Sequence, residues 1–221
     1  MHVTANLRQR RKEARPGELV DAALELFVEK GFAATRTEEV ALRAGVSKGT
    51  LYLYYPSKEE LLKAVIRDRL SSEIKAGALE VEQYAGSNGD LMRGLLSQWW
   101  MRVFDSPASG VFKLIITEVR NFPDIAEFYV REVIEPGQQL VGAVIERGIR
   151  SGEFRKINVE AAVQSLLLPM VMLCLHKHSL GVCVPVASLV NPRDFIRQHI
   201  DLVMRGIENK PANKLSKWDS P

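Results

Sequence analysis

Apolar residues recur along most of the chain at the spacing of helices rather than strands. Leu19, Val20, Ala23, Leu24, Phe27 and Val28 fall on one helical face, and Gly31 stands where that helix is expected to stop. Two short segments follow, at about 35–43 and 47–54. Pro56-Ser57 then opens a longer helix from Lys58, in which Leu61, Leu62, Val65, Ile66 and Leu70 repeat every three or four positions. Further helices are predicted at about 89–105, 109–121, 123–150, 158–180 and 192–208. A break is expected at Pro136 and a kink at Pro169. Turn chemistry separates these stretches: Ser87-Asn88-Gly89, Ser106-Pro107, Asn121 with Pro123, Ser151-Gly152, and Val190-Asn191-Pro192. No period-two strand, internal repeat or low-complexity tract stands out. The pattern predicts an all-α protein with a three-helix head, residues 1–55, and a larger helical body, residues 56–221. The polar tail from Lys210 is expected to fray.

Composition narrows the class. The 221 residues are 46% hydrophobic and 26% charged, the balance of an ordinary globular protein with a sizeable core. The longest apolar run, Leu166 to Leu175, is interrupted by Pro169 and is short of a membrane span, so no membrane partner is expected. The mixed charges of the first twenty residues carry no secretory signal. Two cysteines, Cys174 and Cys183, exclude a disulfide framework, and the expected location is the cytoplasm. The net charge of +3 is unevenly spread: residues 1–70 hold 13 Lys/Arg against 10 Asp/Glu, and the remainder is balanced. Arg8, Arg10, Arg11, Lys12 and Arg15 form a basic arm (residues 1–15) that could enter a minor groove.

The informative stretch is Thr35 to Leu61, TRTEEVALRAGVSKGTLYLYYPSKEEL. Thr35 can cap a helix, with Glu38 completing a capping box. Val40, Ala41, Val46 and Leu51 supply inward packing, and Gly45 can make the sharp turn. Two short helices joined by such a turn form a helix-turn-helix, whose second helix enters the DNA major groove. Ser47 and Thr50 offer hydroxyls near a helix N-terminus for phosphate, Lys48 a flexible cation, and Gly49 a close approach. Tyr52 and Tyr54, two apart, divide between faces, and Lys58 could clamp a further phosphate. Tyr55 reads as core, sealing the head against the helix from Lys58.

The run AGVSKGTLYLYYPSKEELL resembles the DNA-binding head of TetR-family transcriptional regulators, over about residues 16–66. The resemblance implies a homodimeric regulator, usually a repressor, of double-stranded operator DNA, whose body binds a small-molecule effector. Carried over by position, Thr35, Ser47, Lys48, Thr50, Tyr52, Tyr54 and Lys58 correspond to DNA contacts, to which the close approach at Gly49 is added. Leu53 departs from the family, which often has a polar residue there, and would meet a thymine methyl. In the body, Trp99, Trp100, Arg102, Phe104, Phe112, Glu118, Phe122, Phe128, Tyr129, Met170 and His176 are candidate lining of an effector cavity. Met172 belongs to the same aromatic and Met set. The last two long helices are the candidate dimer interface, through Val163, Leu166, Leu167, Met170, Ile196, Ile200, Val203 and Ile207. Effector and operator are expected to communicate through the helix that starts at Lys58.

Two competing signals are set aside. Gly45-Val46-Ser47-Lys48-Gly49 satisfies Gly-x-Ser-x-Gly, but a nucleophile elbow needs a strand before the Ser, and no enzyme is expected. Cys174, His176, His178 and Cys183 could suggest a metal, but helical i, i+2 positions point apart, so neither metal nor cofactor is expected. The remaining alternative is an architectural or partner-controlled DNA-binding protein with no small-molecule ligand. A closed apolar cavity above a few hundred Å3 would favour the sensor over it.

Overall fold

The computed structural model describes residues 2–183 and 191–209. The side chains of Arg8 to Lys12 and the tail from Lys210 lie outside the described residues. Helix α1 (His2–Lys30) stops at Gly31, whose φ of 86° suits a residue without Cβ. Helices α2 (Thr37–Arg43) and α3 (Lys48–Tyr54) follow, joined through Gly45 at φ 66°. Then come α4 (58–83), α5 (88–105), α6 (Ser109–Glu118), α7 (123–151), α8 (Val159–His178), the single turn α9 (Leu180–Cys183) and α10 (Pro192–Ile207). Among the described residues there is no strand, only an isolated bridge between Phe154 and Glu208.

Three of the long helices contain a π turn: Arg67–Ser71 in α4, Met92–Leu96 in α5 and Val130–Ile134 in α7. The break expected at Pro136 does not occur. The register changes from π to α just before it, at Glu135, where the regular hydrogen-bond ladder is interrupted in any case. Helix α8 also continues through Pro169.

In the head, α1 packs against α2 and α4, and α2 against α3. Leu19, Ala23, Phe27, Phe32, Val40, Ala41, Leu51 and Leu61 are buried there, with Val46 packed against them. In the body, α8 lies against α6, α7 and α10, and α10 also reaches α5. This arrangement corrects the expected dimer faces. Val163, Leu166, Met170, Ile196, Ile200 and Ile207 are buried within the single chain, because α8 and α10 turn these stripes towards each other and their neighbours. Leu167 and Val203 are partly buried, and the large exposed apolar side chains of the two helices are Leu168, Met172 and Leu202. By length and composition alone 159–183 could cross a membrane, but α8 is a packed helix of the body whose Leu166, Met170 and Cys174 are buried.

Candidate nucleic-acid interface and ligand cavity

The start of α3 is fixed by Ser47, whose Oγ accepts from the Thr50 N–H at 3.1 Å and lies 2.9 Å from Thr50 Oγ1. Leu51 is the buried anchor of this short helix. Lys48, Gly49, Tyr52 and Leu53 form an exposed strip, since 48 and 52, like 49 and 53, lie one turn apart. The Tyr52 hydroxyl is 3.0 Å from Thr37 Oγ1, which ties the strip to the start of α2. Tyr54 is partly buried against the core, and Tyr55 donates to the Pro16 carbonyl at 3.3 Å. Lys48 donates to the Glu38 carboxylate, which it holds below the usual carboxylate range. Its own pKa is raised by the same hydrogen bond. Ser47 has this capping role among the described residues, and no histidine bonds to it.

Two positions expected at DNA are turned inward. Thr35 is buried, and its hydroxyl meets the carbonyls of Gly31 at 2.7 Å and Leu26 at 3.2 Å. It therefore neither caps α2 nor faces a duplex. The capping box falls one residue later, with Arg36 N–H donating to the Glu39 carboxylate at 3.2 Å. Lys58 Nζ donates to the carbonyls of Phe32 (2.8 Å), Thr35 (3.0 Å) and Ala33 (3.1 Å), and lies 4.6 Å from the Phe32 ring centre. All three ammonium protons are engaged in holding the α1–α2 connection, so none is left for a phosphate.

The body holds an apolar cavity of about 470 Å3 between α4, α5, α6, α7 and α8, open to solvent on one side past Ile116, Val130, Ile134 and Leu168. Of the expected lining, Trp99, Trp100, Arg102, Phe112 and Tyr129 are in its wall. Sequence reasoning missed Ile74, Leu95, Val133 and Val141, which look like ordinary core by helical spacing, and Gln164, which looks like an ordinary solvated polar position. Two π turns contribute Met92, Leu95 and Leu96, and Val130, Val133 and Ile134. Such turns recur at functional sites because they widen a helix locally. Glu73 and Arg102 form an ion pair of 3.5 Å in the wall. The same pair borders a polar crevice of about 230 Å3 lined also by Asp21 and Glu25 of α1.

Six expected lining residues lie elsewhere. Phe104 sits under Lys177, whose Nζ is 4.7 Å from its ring centre and donates to its carbonyl. Phe122 packs edge-on against Phe32, with centroids 4.8 Å apart, and Glu118 lies beside Gly31. Phe128 faces Lys63, Arg67 and Arg131, with Arg67 nearest at 5.1 Å. Met170 is core, and His176 Nε2 is covered by protein. The Cys/His group divides likewise: burial pushes the Cys174 thiol up to about 12, and His178 Nε2 is 2.8 Å from Ser109 Oγ.

A helix-turn-helix head joined to a larger helical body defines the architectural class of a DNA-binding transcriptional regulator. Residues 19–65 match the model of bacterial regulatory proteins of the tetR family. Residues 90–205 match that of the AefR-like transcriptional repressor C-terminal domain. The chain belongs to the TetR family of transcriptional regulators. It is 30% identical over 163 residues to the transcriptional repressor KstR2 of Rhodococcus jostii, covering 70% of this chain and 76% of that protein. It is 24% identical over 158 residues to the fatty acid metabolism regulator protein of Bacillus subtilis, covering 70% and 80%. The structure of FadR from Bacillus subtilis in complex with stearoyl-CoA shares the fold, with TM-score 0.65 and 18% identity over 86% of this chain and 98% of that one. FadR from Bacillus halodurans superposes with TM-score 0.69 at 17% identity, covering 86% and 94%. The curated relatives are transcriptional regulators, and the chain is a regulator rather than an enzyme.

Proposed function

We propose that this regulator is a cytoplasmic repressor that binds a palindromic operator as a homodimer and is released by an apolar or amphipathic effector. The head, residues 1–55, supplies the DNA contacts through Ser47, Lys48, Gly49, Thr50, Tyr52 and Tyr54. The body, residues 56–221, holds the effector and pairs through the outward faces of α8 and α10, where Leu168, Met172 and Leu202 are exposed. The observation that carries the reading is the apolar cavity, whose 470 Å3 lies within the range of small-molecule sites. That volume favours a sensor over a DNA-binding protein with a filled core. Stearoyl-CoA bound to the similar FadR fold makes long-chain acyl thioesters the first effector class to test.

The test uses full-length protein and DNA from the region upstream of its own gene. Fluorescence anisotropy should show binding with dimer stoichiometry, and oleoyl-CoA or stearoyl-CoA should lower the affinity. Reciprocally, operator should lower affinity for the acyl-CoA by the same factor. Tight DNA binding indifferent to apolar and acyl ligands would overturn the effector reading and favour the ligand-free alternative.

A further inference from the structure

We propose that the Tyr129 hydroxyl is the buried polar anchor of the cavity, donating a hydrogen bond to a neutral oxygen of an otherwise apolar effector. The inference rests on the reading of the cavity as an effector site and names the chemistry that the site selects. Tyr129 lies in α7 immediately before the π turn Val130–Ile134, is 8% exposed, and lines the cavity. No donor or acceptor among the described residues meets its hydroxyl. Among the buried polar side chains, Thr35 bonds to two carbonyls, Thr37 to Tyr52, Asn88 to Glu153 and Ser109 to Ser106, while the Ser71 hydroxyl lacks a partner but is covered by protein and does not line the cavity. A buried hydroxyl without a partner is costly, and phenylalanine would fill the same space without that cost.

The rest of the wall supports this choice of anchor. The indole N–H groups of Trp99 and Trp100 also lack an acceptor, but both nitrogens are covered by protein and out of a ligand's reach. The charged lining residues are not buried: Arg102 and Glu80 are exposed, and Glu73 is partly exposed and paired with Arg102. An ionised carboxylate at Tyr129 would thus be desolvated without a buried lining cation to balance it. A ketone, ester or thioester carbonyl has no such cost. Burial beside Cys174 also raises the Tyr129 pKa, keeping the phenol protonated as a donor at any physiological pH.

The full-length chain provides its own probe, because Trp99 and Trp100 stand in the cavity wall. Wild type and Tyr129→Phe would be titrated with 2-undecanone and with undecane while the tryptophan emission is followed. The wild type should bind the ketone about three- to tenfold more tightly than Tyr129→Phe does, with undecane affinity equal in the two proteins. Thermal unfolding of the variant should be unchanged or raised, since only an unbonded hydroxyl is removed. Equal loss for ketone and hydrocarbon would assign Tyr129 a packing role and overturn the proposal. Binding of both probes that the substitution leaves untouched would also overturn it, with the effector cavity still standing. No response of the wild type to either probe would sink the cavity reading and the anchor together.

Discussion

Gly110 of α6 lies so close to Val28 of α1 that a Cβ there would overlap Val28 Cγ2 and stand 3.0 Å from Cγ1. Head and body therefore touch directly, and Phe32 against Phe122 extends the same contact. The head thus meets the body at α6 and Phe122 as well as at α4. Gly110→Ala should cost about 1–3 kcal/mol by overpacking against a stiff β-branched side chain. Adding Val28→Ala should restore most of that loss, because it makes room for the new methyl. Urea unfolding of the two single variants and the double variant measures the coupling. Additive losses would mean that the two residues do not share this contact.

Lys58 makes a second structural forecast. Its ammonium closes the α1–α2 connection through three carbonyls. Lys58→Met should destabilise the protein by about 2–3 kcal/mol, the scale of losing hydrogen bonds from a charged group. The slope of log K against log salt for operator binding should not change. A slope smaller in magnitude by about 0.9 with unchanged stability would instead make Lys58 a phosphate contact.

The helices and the turn at Gly45 were legible because both depend on local rules, apolar spacing and the need for positive φ. The inward turn of Thr35 was not, since its hydroxyl bonds to Leu26, nine residues away, once α1 has packed. Likewise nothing local to Lys58 announces three carbonyls some 25 residues earlier. The cavity is harder still. Leu166 and Leu167 are neighbours in the same apolar run, but one is core and the other faces the cavity. Hydropathy identifies what leaves water but not where packing is incomplete. The dimer faces failed for the same reason: the most apolar stripes of α8 and α10 were consumed inside the chain.

The Glu38–Lys48 pair bears on how the head meets DNA. Lys48 must exchange its carboxylate partner for DNA, or carry a negative charge towards the phosphates. Glu38→Gln should therefore raise affinity for operator and non-operator DNA. If the freed cation neutralises one phosphate, the salt slope steepens by about 0.9 per site. Salt titrations by anisotropy decide the matter, and a fall in affinity matching that of Lys48→Ala would show that Glu38 positions the lysine productively.

Leu53 is 79% exposed on the same strip as Gly49, so it adds little to the folded core. In a major groove its natural partner is the 5-methyl group of thymine. Replacing the contacted thymine by deoxyuridine should weaken wild-type binding about fourfold, the value of one buried methyl group. Leu53→Ala should bind both duplexes equally and unfold at the same temperature as the wild type. A uridine penalty that persists in Leu53→Ala would transfer the contact to another residue.

His178 sets a pH dependence whose sign follows from its surroundings. Ser109 Oγ donates to the Ser106 carbonyl at 2.8 Å, so its lone pairs accept from Lys177 and from Nε2–H of a neutral His178. Burial, aided by Lys177 and Lys113, lowers the His178 pKa from 6.5 to about 4. Below pH 6.5 the unfolded chain takes up the proton while the folded chain resists it. This contribution to stability is therefore complete above pH 6.5, falls as pH drops towards 4, and levels off below that. Half-burial reduces the expected loss to about 1–2 kcal/mol. Urea midpoints for wild type and His178→Gln at pH 7.5 and pH 5 isolate it, because glutamine retains a donor for Ser109 without titrating. The wild type should lose that much more stability than the variant on acidification, and equal losses in the two proteins would move the pH dependence to other groups.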